Sequence, residues 1–174
     1  MTFNRVNNMV GWLVCLVACT VYVLTMEPTG SLWDCGEFVA CADKVQIPHP
    51  PGAPLFILLG RFFIILFGDN PQTAARAVNF MNAIASGFTI LFLFWTITHF
   101  ARKLVQTGAE ALSGRKLFIT MAAGVVGALA YTFSDSFWYS AVEGEVYALS
   151  SLFTAIVFWA ILKWEHEVDL ESRS

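Results

Sequence analysis

Four stretches of this chain are long and apolar enough to cross a lipid bilayer, at residues 9–26, 74–100, 117–133 and 145–164. A helical crossing needs roughly 20 mainly apolar residues. Inside the hydrocarbon each backbone polar group must find its partner within the span, which restricts such runs to helices. The third run is at the short end. A fifth, 54–67, holds only about 14 residues, which as a helix cover roughly 21 Å against a hydrocarbon core of about 30 Å. That length suits an interfacial or re-entrant helix, with Pro54 in its first turn and Gly68 at its stop. The expected fold is an all-α membrane protein. Four transmembrane helices, a short outer-loop helix and the interfacial or re-entrant helix form one module over 1–174.

Composition excludes the main alternatives. Charged residues make up 13% of the chain and the mean hydropathy is +0.63, whereas a soluble domain carries about 25% charged residues. The net charge is −3 with no basic stripe, so nucleic acid is not an expected partner; the lipid bilayer is. Cys15 and Cys19 lie inside the first apolar run and read as packing residues. Cys35 and Cys41 point to different faces if helical, so a disulfide between them needs a non-helical loop. A zinc site on these two and His49 lacks a fourth ligand at a familiar spacing, so no metal is expected. Leu16-Val17-Ala18-Cys19 has the look of a lipoprotein cleavage box, but the apolar run continues to Leu24. An uncleaved membrane anchor fits better.

Charge bias orients the chain. The link 101–116 carries Arg102, Lys103, Arg115 and Lys116 against the single acid Glu110, and Arg5 precedes the first run. Both regions belong on the cytoplasmic side, which requires two crossings between them and leaves 54–67 at the surface. The outer loops are then 27–73 and 134–144, and both termini are cytoplasmic. Trp138 and Tyr139 suit the outer interface and Trp164 the inner one. Ala123, Gly124, Gly127 and Ala128 give the third crossing a small-residue face for close helix packing.

The outer loop contains an unusually charged passage, WDCGEFVACADKVQIPHPPGAPLF, from Trp33 to Phe56. A short helix is expected from Ser31 to about Val45, ended by Pro48. Asp34 and Glu37, three apart, share one of its faces with Phe38 and Cys41. Two accounts fit. In the structural one, Ser31 and Asp34 form a capping pair, first-turn acids complement the helix dipole, and His49-Pro50-Pro51-Gly52 is a stiff connector. In the functional one, these acids meet other polar residues on the outer side. Arg76, Asn79 and Asn82 recur at helical spacing, Glu143 and Glu145 open the fourth crossing, Asp135 is near, and Arg61 interrupts the interfacial helix. Charges near helix ends are cheaper than central ones. Their gathering on one side favours a pocket for an anionic head group beside a carboxylate base.

The ordered motifs WDCGEF, HPPGAPLF, GRFF, RAVNFMNA and EGEVYAL resemble the membrane glycosyltransferases of the GT-C superfamily. Most similar is the protein O-mannosyltransferase-related group that includes transmembrane protein 260 and many bacterial multi-pass proteins. The resemblance implies transfer of a monosaccharide from a polyprenyl-phosphate carrier to an acceptor hydroxyl, on protein or glycan, at the outer or lumenal face. It implies Asp34 as general base, Glu37 as its neighbour positioning acceptor or sugar, and His49 and Arg76 as substrate contacts, Arg76 near the carrier phosphate. Glu145 matches the Glu-Val-Tyr signature and joins the substrate-binding set; Arg61 joins it as a second phosphate contact from its placement alone. No cofactor is implied beyond the lipid-linked donor as co-substrate. The implied setting is a bacterial inner membrane. Superfamily members have many more crossings, so the resemblance is to their N-terminal portion. Two other classes stay open: an ion or solute transporter subunit, in which the paired acids hold a cation, and a non-catalytic membrane scaffold. Against transport, the acids belong to an outer loop and not to the bilayer midplane.

Overall fold

A computed structural model describes residues 2–106 and 112–171. Glu110, used in the charge count, and residues 172–174 of the tail lie outside the described residues. Among the described residues every regular element is a helix: α1 (Phe3–Thr25), α2 (Cys35–Lys44), α3 (Pro54–Leu66), α4 (Pro71–Val105), α5 (Gly114–Thr132), α6 (Asp135–Ala141) and α7 (Tyr147–Glu171). The all-α expectation holds.

α4 is the spine. Its 35 residues extend about 52 Å at 1.5 Å per residue, and α1, α5 and α7 each pack along it. Buried positions run round the whole helix, from Ala74 to Thr98, as expected of a helix with neighbours on all sides. Small residues set the separations. An added Cβ at Gly11 of α1 would stand 2.8 Å from Trp95 Nε1, and Gly87 of α4 lies directly against Cys19. Gly124 of α5 faces Thr98 and Phe94, and Ala128 is fully buried, so the small-residue face of the third run serves helix packing.

Among the described residues three helices are long and apolar enough to cross a membrane: α1, α4 and Tyr147–Glu165 of α7. A fourth span arises if α5 and α6, bent by 68° to each other, are taken together. α6 therefore corrects the expected short loop at 134–144. It turns aside after Phe133 and lays Trp138 on α1, where the indole Nε1 donates to Thr25 Oγ1 at 3.1 Å. The expected bounds also shift. α1 begins at Phe3, because Asn4, Arg5, Asn7 and Asn8 continue the helix beyond the apolar run. α4 starts at Pro71, with the Asn70 side chain accepting from Gln72 N–H at 2.9 Å. α7 starts only at Tyr147, so Glu145 precedes it.

α2 departs from expectation at its start. Trp33 has φ 63°, a left-handed kink that separates Ser31 from the helix, and Asp34 at the N-cap accepts no capping bond. The Ser31–Asp34 capping pair is therefore absent. At the other end Val45 adopts φ 54°, and the Val45 and Gln46 N–H groups both return to Cys41 O. The helix stops at Lys44, as expected near Val45, but the left-handed Val45 and not Pro48 ends it.

Two apolar clusters make the core. One joins α2, α3, Ala74–Ala85 of α4, and Ala148 and Leu149 of α7. The other joins α1, the Ala83–Phe94 part of α4, α5 and α6. α3 thus packs beside the first turns of α4 and is part of the first cluster alone. Large apolar side chains such as Leu16, Leu24, Phe62, Phe118, Phe153 and Trp164 cover the outside, an arrangement suited to lipid. Glu27 N–H donates to Val142 O at 3.0 Å, so the chain leaving α1 and the chain entering α7 meet at the N-terminal end of α4. At the opposite end Lys103 Nζ pairs with Glu165 Oε2 at 2.7 Å, and Arg102 stands over the Phe3 ring.

Candidate active site

The loops gathered at the N-terminal end of α4 enclose an open cavity of about 270 Å³. Asp34, His49 and Glu145 line it, with Phe38, Pro51 and Tyr147 as its apolar walls. Asp34 comes from the start of α2, and one turn later Glu37 shares its exposed face. Phe38 lies between the cavity and the core, and Cys41 is buried in the core. His49 arrives from the loop after α2. That loop is folded back by a cis Pro50–Pro51 bond and by Gly52 at φ 73°, whose N–H donates to His49 O at 2.9 Å. A left-handed φ of that kind is one that glycine adopts at no steric cost.

Glu37 holds the histidine twice. The His49 backbone N–H donates to Oε1 at 2.7 Å, and ring Nδ1 meets Oε2 at 2.9 Å. Nε2 lies 4.0 Å from Asp34 Oδ2, and the ring leans on Phe38. The hydrogen bonds from His49 lower the Glu37 pKa. The same bond and the Glu37 charge, with smaller help from Asp34 and Glu145, raise that of His49. Near neutral pH the pair is therefore biased towards imidazolium and carboxylate.

Glu145 differs in kind. Its residue is 7% exposed, and Cys35 Sγ donates to Oε1 at 3.5 Å. Burial raises its pKa, with the Asp34 and Glu143 charges adding to the shift. Burial, then the charges of Glu143 and Glu145, push the Cys35 thiol up to about 12. The site thus contains exposed carboxylates beside a histidine and a buried carboxyl inclined to hold its proton. Pushing titratable groups apart by environment is a common way of dividing acid and base roles.

The structure brings Asp34, Glu37, His49 and Glu145 together; Arg61 and Arg76 do not line the cavity. Arg61 on α3 donates through Nη1 to Asp69 Oδ1 at 2.7 Å and to Asp43 O at 3.0 Å, with Asp43 Oδ1 at 3.4 Å. Arg76 is exposed on α4 and makes no ion pair among the described residues. All four cysteines are free; Cys35 and Cys41 both lie buried on α2. Asp34, Glu37 and His49 each offer one ligand atom within 4.8 Å of the others, enough to share a hydrated divalent cation, although all three are exposed.

Sequence reasoning missed Cys35 as the partner of Glu145 and Tyr147 as a cavity wall. It noted Asn79 and Asn82 only as polar neighbours. Both are buried, and both donate to the backbone of site loops. The signal was their three-residue spacing within an apolar run, where polar side chains need partners.

Residues 34–174 match the family described as the Protein O-mannosyl-transferase TMEM260 N-terminal domain. The chain belongs to this TMEM260 family. Its relatives include Protein O-mannosyl-transferase tmem260 of Dictyostelium discoideum, 26% identical over 149 residues, covering 82% of this chain and 16% of that protein. Protein O-mannosyl-transferase TMEM260 of Mus musculus is 27% identical over 154 residues, covering 88% and 19% respectively. The chain therefore spans less than a fifth of the length of either TMEM260 relative. No solved structure matches it.

Proposed function

We propose that this module carries the acceptor side of a membrane glycosyltransferase site that moves a monosaccharide from a polyprenyl-phosphate carrier to a hydroxyl on a protein. The observation that carries the proposal is the convergence of Asp34, His49 and Glu145 on one open cavity. The acceptor oxygen attacks the anomeric carbon while the bond from that carbon to the phosphate oxygen breaks, inverting the centre. The hydroxyl proton passes to Asp34, and the carrier leaves as its phosphate. A carboxylate in this role contributes a factor of about 10²–10⁴. His49, held by Glu37, donates to a sugar or acceptor oxygen. Glu145 binds the sugar as a protonated donor, and Tyr147 offers a ring to its apolar face.

Electrostatics divides the substrate. With Glu145 holding its proton, the Asp34 and Glu37 carboxylates still outnumber the one cationic group, His49, so a phosphate is disfavoured in the cavity and a neutral hydroxylated group is welcome. The carrier phosphate belongs outside it, against Arg76, whose cationic charge stabilises the leaving group. Arg61 becomes a second phosphate contact once it releases Asp69. Departure of a phosphate needs no metal in this scheme. The cavity faces the outer or lumenal side, with both termini in the cytoplasm.

The experiment uses the intact protein, labelled polyprenyl-phosphate mannose and a serine-containing peptide. Transfer from the lipid-linked donor with inverted anomeric configuration is expected; transfer from a nucleotide sugar alone overturns the donor class. A cation-binding role, as in a transporter subunit, is the alternative favoured by the convergence of Asp34, Glu37 and His49 within 4.8 Å. A chelator separates the two. Sugar transfer that persists in EDTA supports the metal-free enzyme, whereas cation uptake abolished by Glu37→Gln supports the alternative.

A further inference from the structure

Glu145 reaches the cavity from an irregular segment, so helix geometry does not hold it. Glu143, Gly144 and Glu145 precede α7. Beneath them lies Asn82 of α4, 0% exposed, whose Nδ2 donates to Glu143 O and to Glu145 O, each at 2.6 Å. One amide group thus spends both its N–H donors on the two carbonyls flanking Gly144. One turn earlier, Asn79 Nδ2 donates to Glu27 O at 2.8 Å and to Thr29 O at 3.0 Å, in the chain that leads to Asp34. Gly144 completes the seat. An added Cβ there would stand 3.1 Å from Asn79 Oδ1 and 3.3 Å from Val78 Cγ1, so the segment lies close on α4.

We propose that Asn82 is a positioning residue of the site: through the Glu143 and Glu145 carbonyls it sets where the Glu145 carboxyl stands relative to Asp34 and His49. A fully buried amide is costly unless its donors are satisfied. Both donors here serve the segment that carries the Glu145 carboxyl, while Asn82 Oδ1 has no partner among the described residues. Polar gap-filling would not select that segment. The groups facing Glu145 are Cys35, Glu143, Asp34 and His49. Cys35 is buried, its thiol bonded to Glu145, so its reactivity reports whether Glu145 is in place.

The kinetic part of the test rests on the sugar-transfer proposal; the labelling part does not. In the intact protein, Asn82→Ala and the isosteric Asn82→Asp are treated with N-ethylmaleimide and each cysteine is followed by mass spectrometry. Labelling of Cys35 is expected to rise about tenfold as its thiol is uncovered, while Cys15 and Cys19 on α1 keep their wild-type rate. Transfer is expected to fall about 100-fold, the scale of a misplacement near 1 Å. The limb of the pH profile set by Glu145 moves to lower pH as its carboxyl gains water; a loss of folded enzyme would lower the rate without moving that limb. Unchanged Cys35 labelling in both variants overturns the inference. Labelling of the α1 cysteines in both variants also overturns it, by making Asn82 a residue of global folding. Absence of transfer in the wild type removes the enzymatic proposal and leaves the labelling result to decide on Asn82.

Discussion

Glu37 grips His49 at two points, accepting from its backbone N–H at 2.7 Å and meeting its Nδ1 at 2.9 Å. The double contact fixes both the position of the loop and the orientation of the ring. It also leaves Nε2 directed towards Asp34, at 4.0 Å.

This pair has a defined pH window. The His49 pKa is raised above its ordinary 6.5, so its contribution is full at low pH and is lost as pH rises through the raised value. The Glu37 pKa is lowered below 4.5, so its contribution is present above that value and is lost as pH falls through the lowered one. The pair is therefore intact between the two. In Glu37→Gln the His49 midpoint, followed by NMR of the labelled ring, is expected to fall towards 6.5. A midpoint that stays put would mean that Glu37 does not charge the ring.

Packing along α4 gives a stability prediction. A Cβ at Gly124 would stand 2.5 Å from Thr98 Cγ2 and 2.7 Å from Phe94 Cε2, both side chains fully buried. Gly124→Ala is expected to destabilise by about 1–3 kcal/mol, as overpacking does. At Gly127 the nearest atom is the flexible end of Ile97, Cδ1 at 2.7 Å, so Gly127→Ala is expected to cost less. Thermal unfolding midpoints in detergent rank the two, and equal midpoints would deny that Gly124 is the tighter contact.

The proposed topology puts the loops that meet at the N-terminal end of α4 on the outer or lumenal side. Gly30 and Gly114 each have open space where a side chain would go, and they lie on opposite sides in the proposed topology. An impermeant maleimide applied to intact cells or sealed vesicles is expected to label Gly30→Cys from the outer or lumenal side and to spare Gly114→Cys. The reverse pattern would place the cavity in the cytoplasm and rule out a lumenal transfer.

Much of this architecture was legible because a bilayer leaves few solutions to a long apolar run. α1, α4 and α7 announce themselves by length, and the short run led by Pro54 is visibly too short to be a fourth such helix. Their ends were less legible, since Asn4, Arg5 and Asn7 extend α1 without adding apolar signal. α6 is seven residues long, too brief for a periodic pattern, and nothing in its composition marks the 68° bend before it. At the site, the acids and His49 stood out as charge in an apolar chain. The clamp by Asn79 and Asn82 did not, because its acceptors are backbone carbonyls 50 to 63 positions away. Nor does any sequence pattern tell that Arg61 pairs with Asp43 and Asp69 across a loop.

The central claim is that Asp34 removes the acceptor proton at this cavity. The initial rate of labelled mannose transfer from polyprenyl-phosphate mannose to a serine peptide, compared between the intact wild-type protein and a folded Asp34→Asn variant, tests it directly. A fall of about 10²–10⁴-fold in kcat is predicted, with the peptide KM little changed. A variant that transfers at the wild-type rate would contradict the account.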